Sequence, residues 1–208
     1  MKLKKGLLIV LEGIDGSGKT TQARLLAGAL RRAGLEALSF REPTRGRWGR
    51  EIRKKARRPD SLTPEEELTL FLKDREEDVA RNILPSLRRK KAVILDRYYF
   101  STIAYQGAKG LSRERIRRLN EKFAPRPDLV FVLDVDPARG LGRIEGRPKK
   151  EPLFERENYL ARVRRIFRTF LGRRFIHLDG TRDKKELADS IRRRVMRLVN
   201  RHQAAPKK

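Results

Sequence analysis

No cysteine occurs in the 208 residues, and histidine occurs twice, at His177 and His202. The first absence excludes disulfides, thiolate-ligated zinc, iron–sulfur clusters and thiol catalysis together, and says nothing about redox compartment. The second leaves too few imidazoles for a histidine metal cage and does not favour a Ser-His-Asp triad. Long apolar runs are missing too. Leu7–Leu11 is five residues long and ends at Glu12, far short of the ~20 that a membrane-spanning helix requires. No small-residue cleavage site follows it, so it does not read as a secretory signal. The expectation is a cytoplasmic protein with no membrane partner.

What is abundant is positive charge. Lys and Arg number 53 against 27 Asp and Glu, a formal net charge of +26. Such an excess attracts polyanions, whether nucleic acid, acidic lipid or phosphorylated small molecules. The stretch from Asp183 to Lys208 shares the excess but interleaves no aromatic residue for base stacking. It reads as a solvated face, and nucleic acid is not expected as a specific partner. Apolar residues make up 38% of the chain, gathered into runs, and the length suits one domain over 1–208. A short basic lid is expected at about 142–153, where Gly142–Pro152 collects proline and lysine, with a frayed tail at 204–208.

Short apolar runs alternate with helical patterns. The strand candidates are Leu7–Leu11, Ala37–Phe40, Ala92–Leu95, Leu129–Asp134 and Phe175–Leu178. Between and after them, Lys19–Arg32, Glu65–Arg88, Arg113–Phe123, Glu155–Phe170 and Lys184–Arg201 repeat apolar residues every three or four positions. Pro64 followed by three glutamates marks a helix start, since acids in the first turn suit the helix dipole. Strands apolar throughout and separated by helices predict an α/β fold: a parallel sheet of about five strands with helices on both faces.

Gly13-Ile14-Asp15-Gly16-Ser17-Gly18-Lys19-Thr20 fits G-x-x-x-x-G-K-[ST] and lies between a strand and a helix, as that motif must. The glycines alone read as an ordinary turn; motif and context together predict a loop that binds a nucleoside triphosphate. Its backbone N–H groups would wrap a phosphate, with the helix N-terminus adding positive potential. Lys19 is expected at the transferred phosphate and the Thr20 hydroxyl on Mg²⁺, with Thr21 completing the ATP-binding set. After the third strand, Asp96 is expected to hold the metal through water and Arg97 to grip a second phosphate group.

Several segments together resemble thymidylate kinases. They are Glu12–Gln22, Arg41-Glu42-Pro43, Asp96-Arg97-Tyr98 with Ser101, Ala104-Tyr105-Gln106-Gly107, Pro127-Asp128-Leu129, and Phe154-Glu155 with Tyr159 and Arg162-Val163-Arg164. They run in the family's order over roughly residues 6–180. The resemblance implies a P-loop nucleoside monophosphate kinase that uses ATP to phosphorylate dTMP, as a homodimer. It implies that Phe71 stacks on thymine and Arg75 bonds its carbonyl edge, although Phe71 alone would read as a core residue. By the same resemblance Asp15 meets the sugar 3′-hydroxyl, Tyr105 crowds the 2′ position, and Ser101 and Gln106 touch the base. Arg53 and Arg97 clamp the monophosphate, Glu42 lies in the loop beside it, and Arg143 stacks on adenine.

Two departures from that pattern stand out. Family members often follow the second strand with Glu-Pro-Gly-Gly, whereas Glu42-Pro43 here leads into Thr44-Arg45-Gly46. Some also place an arginine inside the phosphate loop as a catalytic cation, and Asp15-Gly16-Ser17-Gly18 has none. The lid then has to supply that charge, with Arg147 preferred over Lys149 and Lys150 because a planar fork suits phosphate oxygens. The altered loop leaves open a broader deoxynucleotide kinase. The charge excess leaves open a P-loop NTPase stimulated by nucleic acid.

Overall fold

The structure is a computed structural model that describes residues 2–56, 62–143 and 153–203. The lid cations Arg147, Lys149 and Lys150, and the tail at 204–208, lie outside the described residues. Five strands form one sheet: β1 Leu7–Glu12, β2 Ala37–Arg41, β3 Ala92–Asp96, β4 Leu129–Asp134 and β5 Phe175–Asp179. All neighbouring pairs are parallel, in the order β2-β3-β1-β4-β5. That order places the phosphate loop, which follows β1, at the centre of the sheet's C-terminal edge, where the connections on either side diverge and leave a crevice.

Alternation along each strand divides the core in two. Leu8, Val10, Val93, Leu95, Val130 and Val132 face one layer, with Ile103 and Ala104 of α5 (Tyr99–Ala108) and Val163 and Phe167 of α8 (Leu153–Arg168). Leu7, Ile9, Leu11, Ile94, Phe131 and Leu133 face the other. There Ala23, Leu26, Ala27 and Leu30 of α1 (Lys19–Arg32) meet Leu187, Ile191, Val195 and Val199 of α9 (Lys184–Gln203). β1 and β3 are buried at every residue, as expected of central parallel strands covered on both faces.

The remaining helices are α2 Arg47–Lys55, α3 Pro64–Asp78, α4 Leu84–Arg88, α6 Arg113–Glu121 and α7 Pro137–Gly142. The continuous helix expected over Glu65–Arg88 is interrupted by a π turn at Val79–Ile83. Its start is as read: Pro64 occupies the first turn, and Thr63 and Glu66 form a reciprocal capping box. Helices α2, α5 and α7 were not expected from periodicity. Seven of the ten α5 residues are buried, which erases the polar half of the pattern, while α2 buries only Gly49 and Ile52. Four strands run one residue past the apolar run, to Glu12, Arg41, Asp96 and Asp179. These polar ends line the edge where the site lies.

Candidate active site

Parallel register brings three of those ends together. Leu11 pairs with Asp96, and Asp96 with Arg41, so Glu12 and Arg97 fall side by side just beyond. The chain turns sharply at Arg97, whose φ is +74°. A non-glycine residue in that region carries strain of order 1–3 kcal/mol. The backbone N–H of Arg97 donates to the Leu11 carbonyl at 3.0 Å, which fixes the turn against β1.

In the phosphate loop, Lys19 is nearly buried and folds back on its own loop, donating to the Ile14 carbonyl at 2.6 Å and Ser17 Oγ at 3.2 Å. Burial, and then the positive charge of Arg97, push its ammonium down to about 7. Thr20, in the first turn of α1, donates its hydroxyl to Asp96 Oδ2 at 2.5 Å. Arg41 Nε is 3.5 Å from the same oxygen. The other Asp96 oxygen is buried with no partner. An unpaired carboxylate oxygen beside a threonine hydroxyl fits the donor set for a hydrated divalent cation between protein and phosphates.

Gly16, at the apex of the loop, has φ +77°. A Cβ there would lie 2.0 Å from the Gly140 carbonyl oxygen of α7. The apex therefore packs backbone to backbone. Arg143, at the end of α7, donates to the Gly16 and Gly180 carbonyls at 3.3 and 3.2 Å, closing the same corner.

Arg97 is the hub of the other half. Its guanidinium donates to Asp15 Oδ1 at 2.8 Å, Ser101 Oγ at 2.9 Å and Tyr105 Oη at 3.2 Å, and lies over the Tyr105 ring. Burial opposes its charge, but Tyr105, Asp15 and Glu12 outweigh that and hold it above the ordinary arginine value. The Tyr105 hydroxyl donates to Asp15 Oδ2 at 3.3 Å and accepts from the Asp15 N–H. A carboxylate, a guanidinium and a phenol thus converge beside the phosphate loop.

Helix α5 carries the connection onward. Gln106 donates to Glu67 Oε2 at 3.1 Å, and its own amide oxygen is buried and unpaired. Thr102 accepts from Arg75, which is 1% exposed. Phe71, one turn before Arg75 on α3, is half-buried and belongs to neither apolar cluster, although Leu72 beside it does. Arg53, on α2, is exposed and donates to the Pro43 and Thr44 carbonyls at 3.0 and 2.6 Å. Ile14 is buried in the core, and Gly13, Ser17, Gly18 and Thr21 lie along the loop and the helix it opens.

Residues 11–191 match the thymidylate kinase family model. The chain belongs to the thymidylate kinase family. A protein named probable thymidylate kinase from Archaeoglobus fulgidus is 43% identical over 194 residues, 93% of this chain and 97% of that one. A thymidylate kinase of Akkermansia muciniphila is 45% identical over 190 residues, 91% of each chain. One from Brachyspira hyodysenteriae is 41% identical over 187 residues, 90% and 92% of the two chains.

Within this thymidylate kinase fold, several side chains that the resemblance assigns to ligand contacts already have protein partners. Ser101 does not face open space. Its hydroxyl donates to Glu12 Oε2 at 2.6 Å and accepts from Arg97, so it stands behind the arginine. Arg75 already has partners. Its Nε and Nη2 donate to Glu42 Oε2 at 2.8 and 2.6 Å, Nη2 also to Thr102, and Nη1 to Asn120 Oδ1 at 2.6 Å. Four of its five N–H groups are used, which leaves one. Glu42 is buried with that arginine rather than exposed in a phosphate loop, and burial pushes its carboxyl up to about 8. Arg143 donates to two loop carbonyls, those of Gly16 and Gly180.

One residue with a positioning role had no role in the sequence reading. Glu12 is fully buried and accepts from the N–H groups of Tyr98 and Ser101 at 2.8 and 3.1 Å as well as the Ser101 hydroxyl. A strand residue thus caps the start of α5, satisfying N–H groups that a helix leaves open. Burial pushes its carboxyl up to about 7 against those hydrogen bonds. Its only signal in the sequence was a carboxylate immediately before the phosphate-loop motif.

A second cluster braces the far side. Arg164 of α8 donates to Asp134 Oδ1 at 2.6 Å and Asp136 Oδ2 at 3.0 Å, and Arg168 donates to Asp134 Oδ2 at 2.6 Å. A cavity of about 390 Å³ opens there, lined among others by Asp134, Asp136, Arg164, His177 and Asp179. No helix among the described residues is long and apolar enough to cross a membrane.

Proposed function

We propose that the protein is a thymidylate kinase that transfers the γ-phosphoryl group of ATP to dTMP, giving dTDP and ADP. The observation that carries this reading is the convergence on one sheet edge of two phosphate-holding groups. Thr20 bonds Asp96 beside the buried Lys19 on one side, and Arg97 is held by Asp15 and Tyr105 on the other.

In the transfer, an oxygen of the dTMP phosphate forms a bond to the γ-phosphorus while the bond to the β–γ bridging oxygen breaks, and ADP leaves with that electron pair. A phosphate monoester is largely ionised at pH 7, so no residue has to remove a proton from the nucleophile. Positioning and charge stabilisation are what remain for the protein to supply. Lys19 leaves its loop acceptors for the β and γ oxygens and must be protonated there. Arg97 holds the acceptor phosphate in line, with Arg53 as the second clamp. Asp15 accepts from the sugar 3′-hydroxyl, and Tyr105 fills the space a 2′-hydroxyl would need. Phe71 supplies the face for thymine, and the last N–H of Arg75 and the unpaired amide oxygen of Gln106 are the groups left to meet its polar edge.

Asp96, through water, and Thr20 would hold Mg²⁺, which when bound neutralises charge on the phosphates. The family resemblance further implies a homodimer, which sedimentation at micromolar concentration tests. A panel of nucleoside monophosphates with ATP, run with and without DNA, tests the reaction. Turnover with dTMP above all others is the expected result. Phosphorylation of AMP or CMP without dTMP turnover, or DNA-stimulated hydrolysis without dTMP-dependent ADP release, would overturn it.

A further inference from the structure

The loop after β2 departs from the family's usual glycines at Thr44, and Thr44 is where it is fastened. The Thr44 N–H donates to Asp74 Oδ2 at 2.8 Å and its hydroxyl donates to Asp74 Oδ1 at 2.6 Å. The same hydroxyl accepts from the Gly46 N–H at 3.0 Å. Glycine would offer only the first of these. Asp74 is buried on α3, and Arg75 beside it holds Glu42 two residues before Thr44. Adjacent helix residues therefore grip alternate loop residues. The loop is also pressed against α2, since a Cβ on Gly49 would lie 1.9 Å from the Thr44 carbonyl oxygen. Arg53 of α2 anchors on the carbonyls of Pro43 and Thr44.

The geometry points to a latch: Asp74, acting through Thr44, couples the base-side helix α3 to the seat of the phosphate-side Arg53, and so is a positioning residue for dTMP. This rests on the dTMP reading above. Phe71 and Asp74 are three positions apart, neighbours on one rigid helix surface. A base that fails to seat against Phe71 shifts α3, and through Asp74 the carbonyls on which Arg53 rests. Discrimination against the wrong base then includes loss of phosphate alignment, in addition to the missing base contact. On this account the replacement of glycine at position 44 preserves selectivity for dTMP.

The test uses the full chain and four variants: Asp74→Ala, Asp74→Asn, Thr44→Val and Thr44→Ser. Trp48, the single tryptophan, lies between Arg47 and Lys73, each 4.7 Å from its ring centroid, so its emission reports on the α2–α3 junction. Asp74→Ala and Thr44→Val should each raise the dTMP KM about tenfold or more, leaving kcat and the ATP KM within about threefold, the pattern of lost substrate positioning. Both should alter the Trp48 response to dTMP added without ATP. Thr44→Ser retains the hydroxyl and should behave as the unaltered protein, with Asp74→Asn intermediate. If Asp74→Ala does not fold, the Thr44 pair still decides the matter. An unchanged dTMP KM and Trp48 response in Thr44→Val, with only a lower unfolding midpoint, would make the contact a structural prop and overturn the latch. Equal damage from Ser and Val would also overturn it. Failure of the unaltered chain to turn over dTMP would instead remove the functional reading beneath it.

Discussion

Arg97 and Asp15 are 82 residues apart in sequence, and their side chains meet at 2.8 Å. The guanidinium is thereby held in one orientation by the protein itself, and it is pinned from a second direction by Ser101. Preorganised charge of this kind stabilises a transition state without reorganisation at the moment of reaction. Arg97→Ala should lower kcat/KM for dTMP by about a hundredfold or more, with Arg97→Lys recovering little because a point charge cannot meet several acceptors at once. Asp15→Asn should cost less, about tenfold, and mainly in KM. Steady-state kinetics on the three variants check this, and an Arg97→Lys enzyme near full activity would contradict it.

Lys19 gives a pH dependence with a definite sign. Its ammonium is pushed down to about 7 in the free protein, whereas phosphate contact requires the charged form. Above pH 7 binding must therefore take up a proton, and triphosphate affinity should fall by up to about tenfold per pH unit until the pKa of Lys19 in the bound state is approached. Calorimetric titrations at pH 8 in buffers of different ionisation enthalpy should show proton uptake on binding. Proton release would contradict the assignment.

The carboxyl of Glu12 shifts the opposite way, to about 7 from an ordinary value of 4.5. Between those values the folded chain binds more protons than the unfolded one, so this group's contribution to stability falls as pH rises from about 4.5 to 7. Glu12→Gln removes that contribution, and the stability difference between pH 5 and pH 7 should change by on the order of 2 kcal/mol relative to the unaltered chain. The amide oxygen can keep the N–H groups of Tyr98 and Ser101, but the NH₂ leaves the Ser101 hydroxyl without its acceptor, so the variant should also be less stable at pH 5. Urea unfolding at the two pH values measures both effects.

In the proposed transfer, a further cation at the transferring phosphoryl group falls to Arg147. Arg147→Ala should lower kcat about tenfold or more while leaving the dTMP KM within a few-fold, because that contact forms mainly in the transition state. If kcat survives and Arg143→Ala is damaging instead, the arginine that holds Gly16 and Gly180 supplies the charge.

Different parts of this molecule were legible in the sequence for different reasons. The phosphate loop could be read because its backbone geometry demands particular residues at fixed offsets, and the parallel sheet because β1, β3 and β4 are apolar almost throughout. Helix α5 could not, since burial nearly all round leaves no periodicity to detect. Nor could the partnership of Glu42 with Arg75, made across 33 residues of sequence. Ser101 illustrates a subtler limit. Its place in the motif was recognisable, but whether its hydroxyl faces a ligand or the arginine behind it depends on where Glu12 emerges from β1.

The contact of Gly16 with Gly140 bears on how this site could change over evolutionary time. Any side chain at position 16 would enter space held by a helix backbone. The arginine that some family members carry within this loop is thus unavailable to the present chain by single substitution at that position. Acquiring it would require α7 to retreat first, and α7 is anchored at Asp136, whose carboxylate both caps the helix and binds Arg164. A loop with an arginine at this position and the present loop are therefore separated by a rearrangement of an entire corner of the molecule, and a lineage with one would rarely drift into the other.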